Sequence, residues 1–143
     1  LNTVWGILHC GVYPAGPCHE PSGIGTKSAC PGASCQGAFH VYTFEWDRSM
    51  HPEQLRWYVD GKLYNTVSEA QVPASTWHDM TAHRGYFLLL NVAMGGGFAD
   101  TLAALPTPTT ATQPDHPMVV DYVAVWSRSG GLLQPFPAAA HSP

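Results

Sequence analysis

The stretch Q-L-R-W-Y-V-D-G-K-L-Y-N-T-V, residues 54–67, reads as two short strands joined by one tight turn. Asp60-Gly61 lies between runs of aromatic and β-branched residues. Gly accepts a positive φ at no steric cost, so the dipeptide marks a hairpin. It predicts strands over Gln54–Asp60 and Lys62–Val67. Toward the N-terminus, Phe39–Trp46 reads as another strand. Thr3–Cys10 alternates Thr3, Trp5, Ile7 and His9 on one face against Val4, Gly6, Leu8 and Cys10 on the other. Between these two strands, Val12–Ala38 is rich in Gly, Pro, Ser and Cys, has no period, and reads as a long loop. Toward the C-terminus, Gly85–Met94 is nearly all apolar, which predicts a central strand buried on both faces. Gly95-Gly96-Gly97 ends it, Ala103–Pro117 is a Thr/Pro/Ala loop, and Met118–Trp126 is a final strand. No helix is expected. The domain is placed at residues 1–128, with 129–143 as a disordered tail. Antiparallel strands separated by long loops predict an all-β sandwich or jelly roll.

Composition agrees. The chain has 143 residues, enough for one domain with a core. Only 11% of residues are charged, and there are 13 Pro and 14 Gly, which favours strands and busy loops over helices. The net charge of −4, spread without runs, gives no grip on a phosphate backbone, so nucleic acid is not an expected partner. No apolar run has the length of a membrane span, and the longest, Tyr86–Met94, is broken by Asn91. All four cysteines, Cys10, Cys18, Cys30 and Cys35, fall in the first quarter. Short-range disulfides such as Cys10–Cys18 and Cys30–Cys35 would clip two loops and would imply an oxidising compartment. A metal site on His9, Cys10, Cys18 and His19 lacks the close ligand pairs of a zinc site.

Four segments together resemble glycoside hydrolase family 16, specifically secreted fungal endo-1,3(4)-β-glucanases of the laminarinase type. They are V-W-G-I-L-H-C-G with G-P-C-H-E; F-H-V-Y-T-F-E-W-D; R-W-Y-V-D-G-K-L-Y; and Y-F-L-L-L-N-V-A-M-G-G with M-V-V-D-Y-V-A-V-W. The resemblance covers residues 1–126. It implies a concanavalin A-like jelly roll of two curved sheets, the concave one forming a glycan cleft, in a monomeric secreted enzyme. The family signature is E-x-D-x-x-E on one strand, where alternation puts three carboxylates on one face. In a retaining enzyme two of these acids stand roughly 5–5.5 Å apart as nucleophile and acid/base. The family places that strand just before the one that opens this chain, and the signature does not occur in these residues. The expectation is therefore the C-terminal half of such an enzyme, with no catalytic residue of its own. Glu45 and Asp47 are spaced to share a face, but no third carboxylate follows at the family's spacing. The eight His are scattered, and no G-x-S-x-G turn exposes a serine nucleophile.

His9 matches a polar cleft position, where it would bond a sugar or tune the acid/base Glu. The alternative is an ordinary His at a strand end. Asn91 interrupts an apolar strand, and a buried amide left unbonded costs about 1–3 kcal/mol. The resemblance puts it on the cleft floor, against a structural amide as the alternative. Glu45 is a cleft candidate, because a carboxylate in a half-buried strand needs a partner. Trp46, Trp5 and Trp57 are read as core. Trp77, in the segment P-A-S-T-W-H-D, is read as a loop aromatic able to flank the cleft. The resemblance also implies a structural calcium held through a carboxylate at Asp121, although Ca²⁺ takes six to eight oxygens. No cofactor is required. Gly95, Gly96 and Gly97 are not a phosphate loop, since no Lys-Ser/Thr follows; they serve a tight turn or a close approach to glycan.

Three functions follow. One is hydrolysis of internal β-1,3 or mixed β-1,3/1,4 glucosidic bonds by the intact enzyme, this chain supplying cleft but no acids. The second is a lectin-like β-glucan-binding module, and the third is an inactive fragment.

Overall fold

The computed structural model describes residues 2–11, 13–82, 85–114, 117–129 and 132–135, with side chains through Arg128. The chain forms two compact units, Leu1–Tyr86 and Phe87–Pro143.

The first unit is built on the expected hairpin. Strand β3 (Tyr42–Asp47) pairs antiparallel with β4 (Gln54–Val59), and β4 pairs with β5 (Lys62–Ser68). Asp60 (φ 49) and Gly61 (φ 74) are both left-handed, as a type I′ turn requires. Strand β1 (Val4–Leu8) pairs antiparallel with β2 (Ile24–Ser28) in register Val4↔Ser28 to Leu8↔Ile24. Strand β2 lies within the stretch read as loop. Its sequence, I-G-T-K-S, carries no apolar alternation. Its pairing comes from backbone bonds to β1, which side-chain patterning does not reveal.

The two sheets meet through β2 and β5. Asn65 Nδ2 donates to the Gly6 carbonyl at 2.8 Å. A Cβ at Gly6 would stand 2.7 Å from Trp57 Cγ, so only glycine lets β1 come this close. The core gathers Cys10, Cys18, Leu55, Val67, Val72 and Trp77, with Leu8, Ile24, Trp46, Trp57 and Met80 packed against it. Leu55 and Val59 on β4 are buried, while Gln54, Arg56 and Tyr58 are half-buried on the opposite face. Neighbouring side chains thus alternate between the core and the outer face along β4.

Helices are present, contrary to expectation. A 3₁₀ turn, Glu69–Gln71, is capped by Ser68 in a reciprocal capping box with Gln71. It leads into α1 (Ala74–Thr81). Trp77 and Met80, three residues apart, form the inward stripe of α1. Eight residues give too little periodicity to stand out in sequence. Trp77 is thus a helix residue rather than a loop one.

In the second unit, α2 (Gly97–Ala103) follows Gly95 (φ 77) and Gly96 (φ 100). A Cβ on Gly95 would lie 2.7 Å from the Thr107 carbonyl, so this glycine lets its turn pack against that residue. Asp100 Oδ1 accepts from the Thr107 N–H and hydroxyl, each at 2.6 Å, closing the helix onto that loop. The expected strand Gly85–Met94 is not formed: residues 85–94 have no ladder among the described residues, and Phe87 to Leu90 are exposed. An apolar run signals a tendency to be buried, but a strand also needs a neighbour to bond. The expected strand Met118–Trp126 reduces to its last residue, which opens β6 (Trp126–Ser129). Strand β6 pairs with β7 (Leu132–Pro135) in a hairpin where a disordered tail was expected. The rest of that expectation, residues 136–143, lies outside the described residues.

Candidate functional site

Strand β1 ends at Leu8, and the chain passes directly into His9 and Cys10. Cys10 is bonded to Cys18 across a Cα–Cα distance of 5.4 Å, and Cys30 to Cys35 across 5.3 Å. Both proposed pairs are therefore present. Cys10 and Cys18 are buried in the core, so their bridge anchors the loop after β1. The bridge also brings together the residues that flank it. His9 Nδ1 lies 2.7 Å from Glu20 Oε2, and the Cys10 N–H donates to Glu20 Oε1 at 3.0 Å.

Beside this corner runs an open groove of ≈ 620 Å³. One wall is Leu8, His9, Cys10, Gly11 and Pro17. The other is Thr76, Asp79 and Met80 of α1, with Gly85 and Tyr86. The Tyr86 hydroxyl donates to the Met80 carbonyl, and its ring meets Trp46 edge-on at 6.0 Å. An apolar groove edged by His9, Asp79 and an exposed tyrosine ring has the make-up of a sugar site. Sugars offer apolar faces to aromatic rings and hydroxyls to polar rims.

The residues named from sequence are dispersed. His9 lines the groove. Trp77 is only 3% exposed and is not among the lining residues; its neighbours Thr76, Asp79 and Met80 are. Burial makes it the support of the α1 wall rather than a rim aromatic. Its Nε1 has no hydrogen-bond partner among the described residues. Asn91 is exposed, on a segment of the second unit outside any helix or strand, and not buried as the strand reading required.

Glu45 belongs to a separate polar cluster on the outer face of β3 and β4. Register places it opposite Arg56. Arg56 Nη1 donates to Glu45 Oε2 at 3.0 Å, and Nη2 donates to Asp47 Oδ2 at 2.7 Å. The Tyr58 hydroxyl donates to the same Glu45 oxygen at 2.7 Å. Asp47 Oδ1 accepts from the Ser49 hydroxyl and N–H, and these bonds, with Arg56 adding to them, hold the Asp47 carboxyl down at about 2. Asp47 in turn raises the Arg56 guanidinium above its usual range. Tyr58 is raised, first by burial and then by Glu45. Met50 occupies the place of a third acid in E-W-D-R-S-M, and its Sδ lies 3.7 Å from Arg56 Nη2. Two carboxylates sharing one guanidinium form an ionic tie, not an acid/base pair.

A second tie joins the hairpin turn to the entry of β3. His40 Nδ1 and Asp60 Oδ2 are 2.6 Å apart, His40 Nε2 lies 3.2 Å from the Ser34 carbonyl, and the Val41 N–H donates to Asp60 Oδ1 at 2.8 Å. Asp121 is exposed, and among the described residues no group of three or more His, Cys, Asp or Glu comes together.

Sequence reasoning missed Glu20, Asp79 and Tyr86 as groove or corner residues. Glu20 was legible in one respect: a Cys10–Cys18 bridge forces residues 9 and 20, just outside it, toward each other. Asp79 and Tyr86 depend on the position of α1, which the sequence did not reveal.

The profile of the family described as "Glycosyl hydrolases family 16" matches residues 6–91. The chain is similar to the "Beta-glucanase" of Rhodothermus marinus, 32% identical over 90 residues, covering 62% of this chain and 28% of that protein. It is similar to the "Glucan endo-1,3-beta-glucosidase A1" of Niallia circulans, 29% identical over 133 residues, covering 87% of this chain and 17% of that protein. It is also similar to the crystal structure of the endo-1,3-beta-glucanase from Streptomyces sioyaensis. There the identity is 51% and the TM-score 0.74, over 80% of this chain and 40% of that one. The chain thus spans less than half the length of each of these relatives. Antiparallel sheets and the structural likeness assign it the jelly-roll class expected from sequence. The family profile covers more than half of the chain, and on that ground the chain belongs to glycosyl hydrolase family 16.

Proposed function

We propose that this chain supplies part of the β-glucan-binding cleft of a secreted, retaining endo-β-1,3-glucanase, with mixed β-1,3/1,4-glucan as the second substrate class. The observation that carries this reading is the 51% identity, within one fold, to an endo-1,3-beta-glucanase. The groove beside His9 supports it as a place for a glucosyl unit. Two disulfides support an extracellular setting, because thiols stay reduced in the cytosol. The relatives named above do not support the fungal subgroup, and it forms no part of this proposal.

Retaining cleavage needs one carboxylate to attack the anomeric carbon and another to protonate the departing oxygen. The signature E-x-D-x-x-E is not in these 143 residues, and Glu45 and Asp47 are bound to Arg56. The reacting acids are therefore assigned to residues outside this sequence, and the 143 residues alone are assigned binding without cleavage. That tie is also what favours a lectin-like behaviour of these residues by themselves. The calcium site at Asp121 rests on the resemblance alone. Its test is the melting temperature of the protein before and after EDTA dialysis.

The function is tested by running the protein through a native gel containing laminarin and by measuring reducing-sugar release. Retardation by laminarin supports the reading. Unretarded migration, or sugar release by the 143 residues that is lost on mutating Glu45 or Asp47, overturns it.

A further inference from the structure

We propose that Glu20 is a positioning residue for His9, holding the imidazole as its Nδ1–H tautomer so that Nε2 is left to accept a hydrogen bond from a glucan hydroxyl in the groove. This rests on the glucan-binding reading of that groove. A carboxylate only accepts. With His9 Nδ1 2.7 Å from Glu20 Oε2, the proton of the neutral ring belongs on Nδ1, and Nε2 becomes the acceptor. His9 Nε2 has no partner among the described residues, and His9 lines the groove.

Glu20 is itself fixed. Its side chain is 12% exposed while that of His9 is 53% exposed, so the acid forms the inner, anchored half of the pair. Its second oxygen accepts from the Cys10 N–H. The Glu20 and Ala15 backbones bond each other in both directions, closing the loop that carries the acid. The Cys10–Cys18 bridge ties that loop to the end of β1. A Cβ on Gly23 would stand 3.0 Å from His9 Cε1, so the glycine leaves room for the ring in this orientation. A carboxylate that orients an imidazole and sets its tautomer is an outer partner of the kind that tunes ligating and catalytic histidines elsewhere.

The test uses the full-length protein, its Glu20→Ala, Glu20→Gln and His9→Ala variants, and the Glu20→Ala/His9→Ala double variant. Long-range ¹H–¹⁵N correlation spectra of the imidazoles report the tautomer and need no glucan. The Nδ1–H form at His9 in the native protein, lost in Glu20→Ala, is expected. An Nε2–H form in the native protein, or an unchanged spectrum in Glu20→Ala, overturns the proposal. Laminarin affinity is then measured for all variants. Glu20→Ala is expected to weaken binding about five- to tenfold, the worth of one hydrogen bond, with Glu20→Gln falling between it and native. In the His9→Ala background, loss of Glu20 is expected to add nothing. A purely structural Glu20 would give additive losses, and that result also overturns the proposal. If the native protein does not bind laminarin, the glucan reading fails while the tautomer spectra still decide the role of Glu20.

Discussion

Arg56 stands directly opposite Glu45 across β3 and β4 and reaches past it to Asp47, so one guanidinium holds two carboxylates of a single strand. The cluster faces away from the core and is only partly exposed, with the Arg56 side chain at 20%. Two acids placed on one face by alternation would repel each other without it. We expect Arg56→Ala to lower unfolding stability by about 1–2 kcal/mol, and Arg56→Lys to recover part of this because a lysine cannot bridge both acids. Urea denaturation checks both. An Arg56→Ala protein as stable as native would mean that the tie is idle.

His40 and Asp60 give the fold a pH dependence with a definite sign. Asp60 raises His40 above its ordinary 6.5, and His40 lowers Asp60 below its ordinary 3.8. The His40 contribution is fully present below pH 6.5 and is lost as pH rises through the higher folded value. The Asp60 contribution is present above 3.8 and is lost as pH falls through the lower folded value. The tie is thus complete between these limits. The difference in urea midpoint between native and His40→Ala should be largest near pH 5–6 and should shrink toward pH 9. A difference that stays constant over that range would refute the assignment.

The bridge between Cys10 and Cys18 closes a short loop at the edge of the core. Replacing both cysteines by serine should cost about 2–3 kcal/mol by the loop-entropy estimate. The same change should disturb the His9 imidazole resonances, because the bridge holds Glu20 near His9. Thermal melts with and without reductant, together with His9 spectra, measure the two effects on one sample.

Trp77 and Tyr86 separate support from contact. Trp77→Ala should cost about 3–5 kcal/mol as a buried large-to-small change, whereas Trp77→Phe should leave laminarin affinity within about twofold. Tyr86→Ala should instead weaken laminarin binding with a smaller loss of stability, because its ring is exposed in the groove. Affinity gels and melting curves on the same variants check this. A tenfold affinity loss in Trp77→Phe would return the indole to the cleft.

The hairpin at Asp60-Gly61, strand β1 and the short-range cysteine pairs were all legible in sequence. Each rests on local chemistry: positive φ at a turn, a two-residue period, and short reach along the chain. Strand β2, helix α1 and the state of Gly85–Met94 were not legible. Strand β2 exists through its bonds to β1, and α1 through the burial of Trp77 with Met80 packed against the core. Residues 85–94 lack a neighbouring strand among the described residues, and an apolar run alone cannot make one. The candidate site divides the same way. His9 was visible as a polar residue at a strand end. Its carboxylate partner Glu20 and the facing wall of Asp79 and Tyr86 were decided only when distant segments packed, because a hydrogen bond or a groove wall depends on distances in space that residue order does not specify.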